Sequence, residues 1–333
     1  MAFDKAVDSA VIRNGKNPRS KARIWDSVLF SNNVKYLALF AIVICIFINI
    51  LIQVKPATTV KNYQDILVAG GFAYLVAIVF AYKSKSVNMR LNYYAPLFAS
   101  ALLFVGLWDL LTTKTHVIST QYVLTPEQII NSAFASWKTI LLGTLYSLEL
   151  LGLGFVIGAL GGVITGVAIG WSQKAHYWIK PLVNVIGPIP VVAYTPIAIV
   201  AFPTTFWAGV WLIAITTWFP ITVMTNSGIS NVLNTYYEVA KTLGADVKYL
   251  IFKVAIPVAL PSIFTGFFLG LLSAFITLSV AETIGIRQGL GWYVGHGMSG
   301  AYVMVIILFS GLVTLLFKIR DRVLFWQKGL IRW

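Results

Sequence analysis

The stretch ILLGTLYSLELLGLGFVIGALGGVITGVAIG, Ile140 to Gly170, carries a single charged residue, Glu149. An apolar run longer than about 20 residues reads as a helix long enough to cross some 30 Å of hydrocarbon. No strand-period alternation competes with that reading. Within the run, Gly154, Gly158, Gly162, Gly166 and Gly170 recur at a strict four-residue interval. Four residues advance a helix by about 40° more than one turn, so these glycines trace a slowly winding groove into which another helix backbone can settle. Tight helix packing is the expected use. A surface free of side chains would also let a neighbouring helix shift along it.

Seven further apolar blocks flank this one: Tyr36 to Val54, Ile66 to Tyr82, Tyr94 to Leu111, Leu182 to Phe202, Phe206 to Met224, Ile263 to Ile284 and Ala301 to Phe317. Across the 333 residues 58% are hydrophobic and 11% charged, outside the composition of a soluble domain. The expected fold is therefore all-α and polytopic, with about eight transmembrane helices. The first block follows a basic tail and has no small-residue cleavage site after it, so it reads as a retained span.

The net charge of +14 is explained by where the basic residues fall. With the N-terminus inside, twenty of the 25 Lys and Arg lie on inner segments and five on outer loops (Lys55, Lys61, Lys114, Lys138 and Arg287). That asymmetry predicts a multi-pass protein of a bacterial cytoplasmic membrane with both termini cytoplasmic. It accounts for the charge without nucleic acid. Anionic lipids are the expected partners of the tail from Lys318, which interleaves basic residues with Phe325, Trp326 and Trp333.

Four regions are expected: a cytoplasmic basic tail (1–35), an N-terminal hairpin (36–92), a six-span core (93–320) and an interfacial tail (321–333). The hairpin spans offer one polar candidate, Asn49, so anchoring or partner contact suits them better than transport. Pro188, Pro190 and Pro196 lie within one apolar block and Pro220 near the end of the next. Helices there must kink or break, and the carbonyls they free must face protein or a water-filled cavity.

No catalytic set is present. There is no Gly-x-x-x-x-Gly-Lys-Ser/Thr phosphate loop and no His-Glu-x-x-His helix, and the lone Cys45 allows no intrachain disulfide. His116, His176 and His296 lack ligand spacing, so no metal is expected. Acidic residues in or near spans are costly, which singles out Asp109, Glu149 and Glu282. Asp109 is expected at a solvated helix end. Glu149 reaches Lys138 only if the helix start bends, and Glu282 suits a gate or a structural hydrogen bond equally. Substrate-path candidates are thus Glu282, Glu149, Pro188, Pro190 and Trp218, although tryptophans such as Trp108, Trp211 and Trp218 are also common at membrane interfaces.

Between Met224 and Ile263 the chain stays out of the apolar blocks for nearly 40 residues on the basic side. Thr235 and Glu238 have capping-box spacing, predicting a helix start at Thr235. That helix is expected to stop near Gly244. A second, running from Asp246 to about Ala255, would precede Pro257 and Pro261. The pair would form a knob at loop 228–262.

This loop resembles that of the permease subunits of binding-protein-dependent ABC importers, which has Glu-Ala-Ala, three residues, Gly, then nine residues and Ile-x-Leu-Pro. Here the chain reads Glu238-Val239-Ala240, then Gly244-Ala245, then Val254-Ala255-Ile256-Pro257. The likeness extends from about Trp108 to Gly291 and is nearest the nitrate, sulfonate/taurine and bicarbonate branch, on Val123 to Glu127, Lys180-Pro181, Ile189-Pro190, Ala281-Glu282 and Gly289 to Gly291. Departures are Glu149, where that branch commonly has a basic residue, the short connection from Phe202 to Phe206, and the added hairpin.

The resemblance implies that the helix from Glu238 to Gly244 docks in a cytoplasmic ATPase. Expected partners are a dimer of that ATPase, a second permease copy or homologous permease, and an extracytoplasmic substrate-binding protein. No cofactor is expected on this chain, ATP and Mg belonging to the ATPase. The solute would be a small anion or organic nutrient. A secondary carrier or channel driven by an ion gradient would instead show midplane ionisable residues and an inverted repeat, and a scaffold would not need the irregular Gly187 to Pro203 segment.

Overall fold

The computed structural model describes residues 34–51, 61–115, 117–119 and 123–326. Most of the basic tail, the loop after α1, His116 and the last residues of the interfacial tail lie outside the described residues. Among those described, all regular structure is helical. The helices are α1 (Lys35–Leu51), α2 (Lys61–Lys83), α3 (Lys85–Asp109), α4 (Pro126–Ala135), α5 (Trp137–Trp171), α6 (Gln173–Ile186), α7 (Val191–Ala201) and α8 (Thr205–Ser230). After them come α9 (Asn234–Thr242), α10 (Val247–Ala281), α11 (Leu290–Gly295) and α12 (Ala301–Val323).

Six of the described helices are long and apolar enough to cross a membrane; α6 and α7 add a seventh crossing if counted as one broken span. The 17-residue α1 is apolar but shorter. Within the described residues each apolar block is helical over most of its length, but the block from Leu182 to Phe202 is not one helix. At Gly187-Pro188-Ile189-Pro190 the chain bends by 101°. A Cβ on Gly187 would collide with the Phe219 ring, and two prolines in three residues remove the amides that would continue α6. Tyr194 Oη donates to the Ile186 carbonyl at 3.0 Å, occupying an acceptor at the break.

The chain forms two compact units, 1–131 and 132–333. In the first, α1 packs against α2 and α3 through small residues, Ala38, Ala41, Ala95 and Ala99. The boundary expected after residue 92 falls within α3. Beyond Asp109, α3 widens into a π-helical turn, Leu110–Lys114.

The second unit is organised by α5 against α8. Each glycine of the four-residue series lies over one residue of α8, and those residues are also four apart. A Cβ added to Gly154 would sit 2.6 Å from Ile213 Cβ, to Gly158 2.7 Å from Thr217 Cβ, to Gly162 2.8 Å from Ile221 Cβ, to Gly166 2.5 Å from Thr225 Cβ and to Gly170 2.7 Å from Ile229 Cβ. Carbonyls of α8 press nearly as close, with Val210 O and Trp218 O each 3.0 Å from such a Cβ at Gly154 and Gly162. The contact is backbone against backbone, of the kind that drives helix association where lipid removes the hydrophobic advantage. The surface is not smooth. Stiff β-branched side chains seat in successive hollows and interlock the two helices, which favours the packing use of the glycines over a sliding one.

α10 packs along α8 and also reaches α5, completing the core with Leu150, Leu151, Val210, Ile213, Ala274 and Leu278. It runs unbroken from Val247, where a separate short helix and a proline-marked re-entry were expected. A π-helical turn at Leu250–Ala255, closed by Ile256 N–H to Ile251 O, shifts the hydrogen-bond register before Pro257, so both prolines ride inside the helix.

At its other end α10 passes into another π-helical turn, Glu282–Ile286, and a left-handed Arg287 (φ 56°). The next segment folds back onto the bundle. Glu282, fully buried, accepts from Ser147 Oγ and from the Gly291 amide, both at 2.5 Å, while Ser147 Oγ accepts from the Leu290 amide at 2.9 Å. A Cβ on Gly289 would run into the Glu282 carboxylate, and one on Gly291 would lie 2.8 Å from Oε2. Three elements are thus latched by one side chain.

Two outcomes follow. Gly158→Ala should lower thermal stability by about 1–3 kcal/mol, as overpacking does, whereas Gly152→Ala, whose Cβ meets nothing within 4 Å, should not; thermal unfolding of the purified protein in detergent distinguishes them. Gly289 and Gly297 both have positive φ (103° and 83°), but only Gly289 abuts Glu282. Gly289→Ala should therefore destabilise more than Gly297→Ala, and Ser147→Ala, which strands a buried carboxylate oxygen and an amide, should cost about 1–3 kcal/mol for each group in the same assay.

Candidate functional site

The loop between α8 and α10 is shorter than the apolar pattern implies, because α8 continues to Ser230 and α10 starts at Val247. At about 1.5 Å per residue the 35-residue α10 is some 52 Å long, well beyond the hydrocarbon thickness, and its start packs with the end of α8 against Trp171 of α5. α8 and α10 carry α9 as an elbow.

The elbow is closed by hydrogen bonds among its own residues. Ala245 N–H bonds to Ala240 O at 3.0 Å and Gly244 N–H to Lys241 O at 2.9 Å, with Gly244 left-handed at φ 84°. That double closure is a Schellman stop, and glycine is what makes the left-handed position inexpensive. Two residues later Asp246 Oδ1 accepts from Tyr249 N–H at 2.8 Å and caps the start of α10. The expected cap at Thr235 is not formed. Helix α9 begins at Asn234 after Leu233, with no side-chain cap, so Thr235 lies inside the first turn with its amide already in the helical frame.

Around this elbow runs a groove of about 840 Å³ lined by Thr235, Val239, Ala240, Gly244, Ala245 and their neighbours. Its outer surface is unusually apolar for a loop facing away from a bundle: Leu243 is 84% exposed, Val239 55% and Tyr236 50%. Glu238 is exposed beside them, and Pro257 is half-buried on α10. Exposed apolar groups clustered on a short helix mark a surface meant to be covered. The inner face is fixed. Tyr237 stacks edge-on with Trp171 at 5.5 Å and joins Ile229, Ala255, Ala259 and Ile263, which ties α9 to the ends of α5, α8 and α10. Neither Tyr237, Leu243 nor Asp246 belongs to the loop motif read from the sequence; the i, i+3 spacing of Asp246 before Tyr249 was the available signal.

The substrate-path candidates do not gather at one place. Glu282 is spent on the latch. Glu149 lies exposed on α5 amid Leu145, Leu148 and Leu153, and no ion pair joins it to Lys138, whose ammonium sits 5.7 Å over the Trp137 ring of an unbent helix start. Pro188 and Pro190 are exposed at the α6–α7 break. Trp218 Nε1 donates to Thr165 Oγ1 at 2.9 Å, and Thr165 meets Thr222 Oγ1 at 2.8 Å, a hydroxyl chain between α5 and α8. Asp109, expected in solvent, is 1% exposed and accepts from Asn49. Among the described residues no group of three or more His, Cys, Asp or Glu is placed to hold a metal.

Comparison with known proteins agrees with this architecture. The formylaminopyrimidine transport permease protein ThiX of Halalkalibacterium halodurans is 27% identical over 194 residues, 58% of this chain and 76% of that protein. The bicarbonate transport system permease protein CmpB of Synechococcus elongatus is 32% identical over 195 residues, 57% of this chain and 69% of that protein. The putative aliphatic sulfonates transport permease protein SsuC of Bacillus subtilis is 29% identical over 219 residues, 64% of this chain and 78% of that protein. Residues 158–324, which include α8, the elbow and α10, match the profile of the binding-protein-dependent transport system inner membrane component. The chain belongs to that family, the permeases of ABC importers.

Proposed function

We propose that this permease couples to a separate cytoplasmic ATPase through the elbow from Thr235 to Asp246, and that it passes a small anion or organic nutrient delivered by an extracytoplasmic binding protein. The observation that carries the reading is the elbow itself: an exposed apolar helix, closed at Gly244 and anchored inward through Tyr237. Glu238, Val239, Ala240, Gly244, Ala245 and Pro257 are the coupling residues, with Thr235 at the rim of the groove.

In this reading the chain binds neither ATP nor Mg, which belong to an ATPase dimer. Closure of that dimer draws together the elbows of this permease and of a second permease, a copy or a homologue. Because Tyr237 sits against Trp171, Ile229 and Ala259, displacement of α9 pushes on the ends of α5, α8 and α10 together. Core helices then move as a body rather than singly. The protein is placed in a bacterial inner membrane with the elbow and both termini in the cytoplasm, in keeping with the twenty inward basic residues.

Gly244→Val forces a β-branched residue into a left-handed conformation, a strain of about 1–3 kcal/mol, and Leu243→Asp puts a charge on the docking face. Both should still insert in the membrane. Both should lose co-purification of the ATPase from mild detergent, and ATP-driven uptake in vesicles should fall roughly tenfold or more, the loss expected for about 1.4 kcal/mol of docking energy. Uptake that keeps its ATP dependence in both variants would reject the coupling assignment.

A further inference from the structure

The first unit contains a polar pair that the coupling mechanism does not use. Asp109 of α3 and Asn49 of α1 are 1% and 4% exposed. Asn49 Nδ2 donates to its own helix at Cys45 O (3.2 Å) and to Asp109 Oδ2 (3.4 Å). The other oxygen of each side chain, Asn49 Oδ1 and Asp109 Oδ1, meets no hydrogen-bond donor among the described residues. Two bare acceptors, one of them carboxylate, thus belong to side chains already in contact within an apolar three-helix sheaf. Burying such groups without a partner is costly, and more so in a membrane.

Among the described residues no protein cation is placed to relieve it. The nearest in sequence, Lys114, has its Nζ 3.5 Å from Glu127 Oε1, and the two side chains are only 5% and 9% exposed. Burial holds the Glu127 carboxyl above the usual range; Lys114 opposes this and the charge of Asp109 adds to it. A further titratable neighbour among the described residues is Cys45 on α1, whose thiol donates to Leu102 O at 3.4 Å. Access exists. A cavity of about 540 Å³ opens between α1 and α2, walled by Ile46, Ile50, Val68 and Phe72, with exposed Asp65 and buried Asn49 also in its lining. Asp109 is one hydrogen bond beyond Asn49.

We propose that Asn49 and Asp109 form a binding site for one monovalent alkali cation, Na⁺ or K⁺, reached through the cavity between α1 and α2. One carboxylate and one amide carry a single negative charge, which one positive charge cancels. A divalent ion would remain half-compensated and needs more anionic oxygens than these residues supply. Hard oxygen donors suit an alkali ion, and water from the cavity completes its shell. The bound ion gives both bare oxygens a partner and clips α1 to α3, independently of the ATPase coupling.

The test uses the full chain in lipid nanodiscs, with thermal unfolding followed across graded NaCl, KCl or N-methylglucamine chloride at equal ionic strength. The wild type should unfold at temperatures that rise and saturate with Na⁺ or K⁺ but not with N-methylglucamine, as for a ligand that binds only the folded state. Asp109→Asn and Asn49→Leu should abolish the rise, and Asp65→Asn should shift its midpoint to higher cation concentration. Equilibrium binding of radioactive Na⁺ and K⁺ to the wild type decides the matter even if a variant fails to fold. Equal unfolding temperatures in all three salts, or a dependence on pH alone with no bound alkali ion, would overturn the proposal, the latter assigning the site to a proton.

Discussion

Close approach between the backbones of α5 and α8 is the constraint on which the second unit depends. In hydrocarbon two apolar helices gain nothing from hiding from water, so affinity must come from contact density and from weak Cα–H to carbonyl interactions. Five glycines on one helix and five β-branched residues on the other, Ile213, Thr217, Ile221, Thr225 and Ile229, provide both in a shared four-residue register. With that pair set, α10 can lie against α8, and the pockets for the Glu282 latch and for Tyr237 fall at opposite ends of one assembly.

The two ends solve different problems. At the latch, a buried carboxylate is satisfied wholly by neutral donors, the Ser147 hydroxyl and the Gly291 amide, and the glycines beside it exist because a Cβ would fill the space those donors need. At the elbow the problem is one of local order. Helix α9 must hold a fixed orientation while presenting apolar side chains outward, and it does so with a Schellman stop on one side and the Asp246 cap on the other.

Much of this was legible in the sequence because it is written in local periodicities. The apolar blocks are helical within the described residues, six of the helices being long enough to cross a membrane, the glycine series forms a packing seam, and the Gly187 to Pro190 run is a sharp bend. The spacing of Glu238, Ala240 and Gly244 located the elbow. What escaped notice depends on partners distant in sequence or on hydrogen-bond register. Thr235 resembled a cap, yet the helix was already under way at Asn234. Pro257 resembled a break, yet a π-helical turn absorbed it. Asp109 resembled a solvated helix end, because nothing near it in sequence announces Asn49, 60 residues earlier. Glu149 and Trp218 could be singled out by residue type, but only contacts reveal that Trp218 is tied to Thr165 while Glu149 lies exposed among leucines with no ion pair among the described residues.

Because the elbow is ordered by hydrogen bonds within its own few residues, its shape does not wait for a partner. A segment that folded only on docking would spend part of each binding event on ordering itself, and would bind more weakly for the same contact area. Here the loss of freedom is already borne when the chain folds. Under the proposed coupling, association with a soluble subunit would then be an encounter between two finished surfaces, with no remodelling of the joint from one cycle to the next.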